Sequence, residues 1–279
     1  RFFRRVLGIS EHSYNLAVSL STAISKLKER FGDKLAVVVT GDLTTSANAA
    51  AFGTVANYLK HTVLVGPGLY VGLDIKNKLH VVRGNHDAFL FSALKSQHRA
   101  EVYHEYFPGL FPVFDIWSTV SGYVTFFYLD SNRVSGFNPF NILNLVQKGE
   151  VGIQQRGDLA AIEQALRDRT HDKIPADYDY GSSFKIALLH HHVSCPAAGD
   201  MGAELSELRD SRQVLEVLSQ MGIALVLYGH QHMPYHGTVF VGGRELLFSC
   251  AGSATKDDEF INSFKVYYFK NFTEIFMEE

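Results

Sequence analysis

The chain has 279 residues, 46% hydrophobic and 20% charged, with a formal net charge of −3. That is globular composition with enough chain for a sizeable core, and it offers no broad basic face to a nucleic-acid polymer. Cys195 and Cys250 are the two cysteines, which excludes a disulfide scaffold and fits a reducing, cytoplasmic compartment; no apolar run reaches the ~20 residues that a membrane-spanning helix needs.

The chain opens on Arg1, Arg4 and Arg5 with Phe2 and Phe3. This basic, aromatic start is expected to pack on the body of the domain, because one helical turn buries too little to hold a membrane alone. No signal-peptide pattern is visible. From Ser13 to Phe31 apolar residues recur at helical spacing (Leu16, Leu20, Ala23, Ile24, Leu27), and Gly32 supplies a stop. Lys34 to Thr40 is a continuous β-branched run and predicts a buried strand. A helix is expected over Ser46 to Lys60, a second buried strand over Leu79 to Arg83, and a third over Gly122 to Leu129. Val151 to Arg169 contains a helix with Leu159, Ile162 and Leu166 on one face. Lys185 to Leu189 predicts a strand, Ser206 to Gln220 a helix ended by Gly222, and Ile223 to Tyr228 the next strand.

The rhythm then changes. Gly237 to Val241, Glu245 to Cys250, Ser263 to Phe269 and Phe272 to Met277 are short strands parted by Gly, Asp and Asn, and they predict an antiparallel meander. Strand–helix alternation followed by strands fits one α/β domain over residues 1–279, with two facing mixed sheets and helices outside.

Four of these strands run straight into metal-binding residue types. The segments are Gly41-Asp42, Gly84-Asn85-His86-Asp87, His190-His191-His192 and Gly229-His230-Gln231-His232. Strand ends at one edge of an α/β sheet converge on a crevice, so residues far apart in sequence meet. Asp42 brings a carboxylate able to bridge two cations, Asn85 a neutral carbonyl oxygen, and His190, His230 and His232 imidazoles. Such mixed oxygen and nitrogen sets suit Mn, Fe, Zn or Co better than Mg or Ca. His230 and His232, two apart in an extended segment, point to one side. A lone His or Asp after a strand is usually structural, and only the cluster argues ligation.

The set resembles the calcineurin-like metallophosphoesterase superfamily, whose pattern is Asp-x-His, Gly-Asp, Gly-Asn-His-Asp/Glu, a His, and Gly-His-x-His. The last four blocks stand in order over residues 41–232. Gly-Asn-His-Asp with Gly-His-x-His downstream is the specific part. GDLTTSANAAAF and ALLHHH also resemble bacterial members that act on cyclic nucleotides. The resemblance implies a four-layer αββα sandwich and a dinuclear site. Asp42 would bridge the metals, Asn85, His190 and His230 would complete one site, and His232 would belong to the other. His86 would face the phosphate as leaving-group acid or transition-state stabiliser. The implied reaction is in-line attack of a metal-bridging hydroxide on phosphorus. Two cations ~3.5–4 Å apart can clamp the nonbridging oxygens and generate that hydroxide near neutral pH, while an imidazole protonates the departing alkoxide. Asp87 would orient His86 or support the ligands from behind.

This sequence departs from the pattern at three places. No Asp-x-His precedes Asp42, although the helix and strand expected after it are present; the opening strand and its ligands are expected before Arg1. Without them the second metal site has only Asp42 and His232, and weak occupancy and activity are expected. Thr45 stands where many members have an Asp that pairs with the catalytic His. The triple histidine leaves two candidates, His190 by alignment on the strand end or His191 one residue later, with His192 behind or at the rim.

His12, His61, His80, His98, His104 and His171 have no companion motif and are expected at the surface or in caps; His236 is expected in a turn. Cys195 is expected to be a buried or rim thiol. Glu101 to Phe114 is dense in aromatics, either a cap that stacks a base or core packing, and the 132–149 stretch borders the site as a long loop. The expected partner is a small phosphate ester, with cyclic nucleotide leading; neither a nucleic-acid polymer nor a membrane is expected. Two rivals remain. A lipid-linked pyrophosphate or phosphomonoester hydrolase draws on the basic start. A metal-poor binding module draws on the absent Asp-x-His, although it would have no use for His86.

Overall fold

Alternation along the central strands divides the apolar side chains among three cores. The computed structural model describes residues 13–44, 48–75, 78–88, 102–107, 113–132, 149–193, 207–230, 234–254, 263–270 and 274–278. Helix α1 (Tyr14–Phe31) stops at Gly32, and a 3-10 turn (Gly32–Lys34) leads into β1 (Val37–Val39). Helix α2 (Ala49–Leu59) starts at Asn48, whose Oδ1 accepts from Ala51 N at 2.8 Å, a side-chain N-cap. A hairpin follows, β2 (Val63–Gly66) and β3 (Leu69–Val71), then β4 (Leu79–Val81) and a single helical turn, α3 (Asn85–Ala88).

The larger sheet begins with β5 (Phe114–Thr119) and β6 (Gly122–Tyr128). Helix α4 (Ile153–Asp168) leads to β7 (Phe184–Leu188), and α5 (Ser211–Gln220) to β8 (Leu225–Tyr228). Four strands close the chain: β9 (Pro234–Val241), β10 (Arg244–Ala251), β11 (Val266–Lys270) and β12 (Glu274–Glu278).

Strands β5-β6-β7-β8-β10-β9 form one six-stranded mixed sheet, while β1 and β4 pair in parallel as a small sheet. Because side chains alternate along a strand, Phe127, Leu129, Ala187, Leu189 and Val226 face α4 and α5 in one core. Phe126, Tyr128, Ile186, Leu188, Leu225 and Leu227 face the other way, toward Val38 and Val82, in the core between the sheets. On the far side of the small sheet, Val37, Val39 and Val81 meet Ile24, Phe52 and Leu59 of α1 and α2. The order is helices, small sheet, large sheet, helices: the expected mixed α/β arrangement of facing sheets with helices outside.

Several expectations change. The C-terminal strands are not one meander: β9 and β10 form a hairpin that joins the large sheet through parallel pairing of β10 with β8, and β11 and β12 pair separately. Strand β1 is half-buried at every position, not buried, because its pairing among the described residues is with β4 alone. Helix α5 begins at Ser211, later than expected. The preceding Asp210 carboxylate accepts from Val151 N at 3.1 Å and Gly152 N at 2.9 Å and pairs with Arg156, tying the start of α5 to that of α4.

His80 is no surface residue. It is 2% exposed, stacks on Phe126 with ring centroids 3.9 Å apart, and meets Tyr128 Oη at 2.5 Å through Nδ1, so it fastens β4 to the large sheet. Burial pushes its pKa down to about 4, partly opposed by the Asp115 carboxylate. His236 lies on the exposed side of β9 instead of in a turn. Of the aromatic stretch, Tyr103 and Phe107 are buried edge-on against Phe52, which is core packing; residues 101 and 108–112 lie outside the described residues. So do residues 1–12, Thr45, His98, most of the 132–149 stretch, and Cys195.

Candidate metal centre

Two pairs of parallel strands aim their C-terminal ends at one place. Strand β1 ends before Gly41-Asp42, β4 before Gly84-Asn85-His86, β7 before His190 and β8 before Gly229-His230. The first two loops touch through backbone: a Cβ on Gly84 would lie 2.1 Å from Asp42 N and 2.1 Å from Asp42 Oδ1, so only glycine fits. Asp42 and His230 have φ of +54° and +76°, a region that non-glycine residues seldom occupy and that recurs at functional sites.

Asp87 clamps the two loops. Its fully buried carboxylate accepts from Leu43 N at 3.1 Å, Thr44 N at 2.8 Å, Gly84 N at 3.0 Å and Thr44 Oγ1 at 3.1 Å. Both of its oxygens are thus committed to the two loops, which they hold together. Burial, together with the nearby Asp42 charge, pushes its carboxyl up to about 7 against the pull of the backbone donors.

Asp42 Oδ1 accepts from His86 N at 3.0 Å. Its Oδ2 is buried with no hydrogen-bond partner among the described residues, and lies 3.4 Å from His190 Nε2. His190 Nε2 is in turn 2.9 Å from Asn85 Oδ1 and 3.1 Å from His230 Nδ1, and His230 Nδ1 is 3.1 Å from Asn85 Oδ1. Nδ1 of His190 faces the Thr40 carbonyl at 2.8 Å. A carbonyl only accepts, so the proton sits on Nδ1 and Nε2 presents its lone pair to the cluster. Burial alone would raise the Asp42 pKa, but positive charge on His190, His86 and His230, when those rings are protonated, together with the His86 N–H, outweighs it and holds the carboxyl at about 2.

Lone pairs thus converge on lone pairs. Ligand atoms of Asp42, His190 and His230 all lie within 4.8 Å of one another. An unpartnered buried carboxylate oxygen beside an imidazole lone pair costs free energy unless a cation joins them, and the mixed oxygen and nitrogen donors fit a transition metal.

The sequence-derived residues Asp42, Asn85, His190 and His230 are therefore together, with half-buried His86 beside them. His86 joins Asp42, His190 and His230 in lining one cavity. His232 and Gln231 lie outside the described residues. Of the two candidates left open, His190 is the one whose Nε2 meets Asp42 and Asn85. His191 and His192 are both buried, 1% and 0% exposed, behind the centre and not at its rim. Thr40, whose carbonyl orients His190, escapes sequence reasoning because any residue type supplies a carbonyl.

A family model described as calcineurin-like phosphoesterase matches residues 12–234. In fold the chain is similar to GAP50, the anchor in the inner membrane complex of Plasmodium, with a TM-score of 0.50 and 12% identity over 91% of this chain and 76% of that one. It is also similar to the phosphopantetheinyl hydrolase of Mycobacterium tuberculosis, with a TM-score of 0.44 and 13% identity over 80% of this chain and 83% of that one. A putative 5'-nucleotidase from Staphylococcus aureus gives a TM-score of 0.46 and 12% identity over 96% of this chain; the chain spans 48% of that protein's length. At these identities the likeness is one of fold alone. No curated protein matches the chain in sequence. No helix among the described residues is long and apolar enough to cross a membrane.

Proposed function

The chain belongs to the calcineurin-like phosphoesterase family, which implies divalent metal ions and phosphoester hydrolysis, and from that premise we propose that it hydrolyses a small phosphodiester, a cyclic nucleotide being the leading candidate. The observation that carries the reading is the orphaned Oδ2 of Asp42 among the ligand atoms of His190 and His230. Asp42, Asn85, His190 and His230 would hold Mn, Fe, Zn or Co, and His232 would add a further imidazole.

Bound divalent ions supply positive charge for the phosphoryl oxygens and acidify a water for attack. The chain's own groups do the rest. The His86 N–H and the cluster of imidazoles favour the ionised form of Asp42. Thr40 fixes the proton of His190 on Nδ1. His86, anchored through its backbone N–H to Asp42, offers an imidazole to protonate the departing oxygen.

A further strand bearing Asp-x-His, in chain ahead of Arg1, would complete this site. Two observations support it. Strand β1 packs on both faces, yet among the described residues it pairs along one edge only. A cavity of about 1420 Å³ is lined by Val37, Val38, Leu20, Phe126 and Tyr267 as well as by Asp42 and His190, apolar walls running to the donor cluster.

The test is elemental analysis of the purified protein, with and without an added N-terminal strand bearing Asp-x-His, paired with a screen of phosphate esters under Mn, Fe, Zn and Co. Bound transition metal and turnover that both rise with the longer chain are expected. Protein that retains no metal, with turnover indifferent to Asp42→Asn, overturns the reading. No gain from the longer chain overturns the strand alone.

A further inference from the structure

Three consecutive histidines follow β7, and burial does not choose among them. His190, His191 and His192 are 1%, 1% and 0% exposed. The choice traces to Ser131, just beyond the end of β6 and itself fully buried. Its Oγ lies 3.3 Å from His190 N, 3.1 Å from His191 N and 2.9 Å from His191 Nδ1. A hydroxyl has one proton and two lone pairs. The two backbone N–H groups only donate, so they take the lone pairs. The hydroxyl proton is left for His191 Nδ1, which must accept it, and His191 then carries its own proton on Nε2.

At His190 the order is reversed. The Thr40 carbonyl takes the Nδ1 proton and leaves Nε2 bare. Neighbouring imidazoles are thereby held in opposite tautomers, and metals bind the unprotonated nitrogen. Ser131 is itself held in place. Its carbonyl accepts from Glu150 N at 3.0 Å, and a Cβ on Gly149 would lie 2.4 Å from the Ser131 carbonyl oxygen and 2.4 Å from His191 Nδ1.

We propose that Ser131 is a positioning residue for the metal centre: one buried hydroxyl sets the backbone of His190 and His191 together with the tautomer of His191, and so assigns ligation to His190. This rests on the metal-centre reading above. It gives a serine with no recognisable motif a defined part in selecting the ligand.

Two measurements test it. In metal-free wild-type protein labelled with ¹⁵N-histidine, long-range imidazole NMR should find His191 protonated at Nε2 and His190 at Nδ1; His191 protonated at Nδ1 overturns the proposal without any variant. Titration with cobalt(II) alone, followed by calorimetry and by the visible cobalt spectrum, should then find affinity lowered about 10–100-fold in Ser131→Ala, the range for loss of a partner that orients a metal ligand. The spectrum should change, and Ser131→Thr should recover most of the affinity. His190→Gln should weaken cobalt binding more than His191→Gln. Equal affinity and an equal spectrum in wild type and Ser131→Ala overturn the role of Ser131 alone. A wild type that takes up no cobalt overturns the metal-centre reading instead.

Discussion

The two sheets that meet at the metal centre hold their ligands by different means. In the large sheet every residue of β7 and β8 is buried, whereas every residue of β1 in the small sheet is half-buried. Each sheet nevertheless supplies two of the four described donors. His190 and His230 leave strands locked by packing and by the bond from Gly229 N to the His190 carbonyl, 3.0 Å long. Asp42 and Asn85 leave a thin pair of strands, and their loops are fixed by hydrogen bonds to Asp87. Imidazole placement therefore depends on the core, and oxygen placement on one buried carboxylate.

Removing the carboxylate ligand is the harshest test of that division. Asp42→Ala should lower metal affinity well beyond the ~10–100-fold expected for an orienting partner and abolish turnover. It should change metal-free stability by no more than about 1–2 kcal/mol, because the buried Oδ2 that it deletes has no hydrogen-bond partner among the described residues, while the Oδ1 that it also deletes accepts only from His86 N. Metal titration and urea unfolding of the metal-free protein would check both halves. A large loss of metal-free stability would mean that Asp42 serves the fold rather than a cation.

The next test separates the two means of support. Asp87→Ala strands several buried donors and should cost about 3 kcal/mol, with metal affinity falling as well, since the oxygen loops lose their clamp. Leu188→Ala, in the core between the sheets, should cost a similar ~3 kcal/mol as a cavity while the clamp stays intact. Val38→Ala, on half-buried β1, should cost only about 1 kcal/mol. Urea unfolding gives the stabilities, and cobalt titration of the folded variants shows whether affinity follows Asp87 alone.

Much of this was legible in the chain. The strands carrying ligands announce themselves as β-branched runs broken by Gly41, Gly84 and Gly229, and alternation within them predicts which side chains face which core. What escaped has no local signal. The hairpin Val63–Gly66 with Leu69–Val71 is apolar on both faces, Leu64, Leu69 and Tyr70 being exposed, so it lacks a period of two. The half-burial of β1 depends on how many strands pair with it. Asp87 reads as part of a catalytic motif, but its carboxylate is spent on backbone 43 and 44 residues away. Ser131 and Thr40 act through atoms that carry no signature. His80 carries no signal of its burial because its partners, Phe126 and Tyr128, belong to a strand far along the chain.

His80 also yields the gentlest probe of how the two sheets are joined. Its folded pKa of about 4 lies below the usual 6.5, so the unfolded chain takes up the proton first. Its contribution is complete above pH 6.5 and is lost as pH falls toward 4. Over that window it should remove about 2–3 kcal/mol of stability. Urea midpoints measured from pH 7 to pH 4 should fall more steeply in wild type than in His80→Gln, which keeps a polar atom near Tyr128 but does not titrate. Parallel slopes would mean that protonation of His80 does not loosen the contact between β4 and the large sheet, and that the small sheet is held there by Val38, Val82 and their apolar neighbours instead.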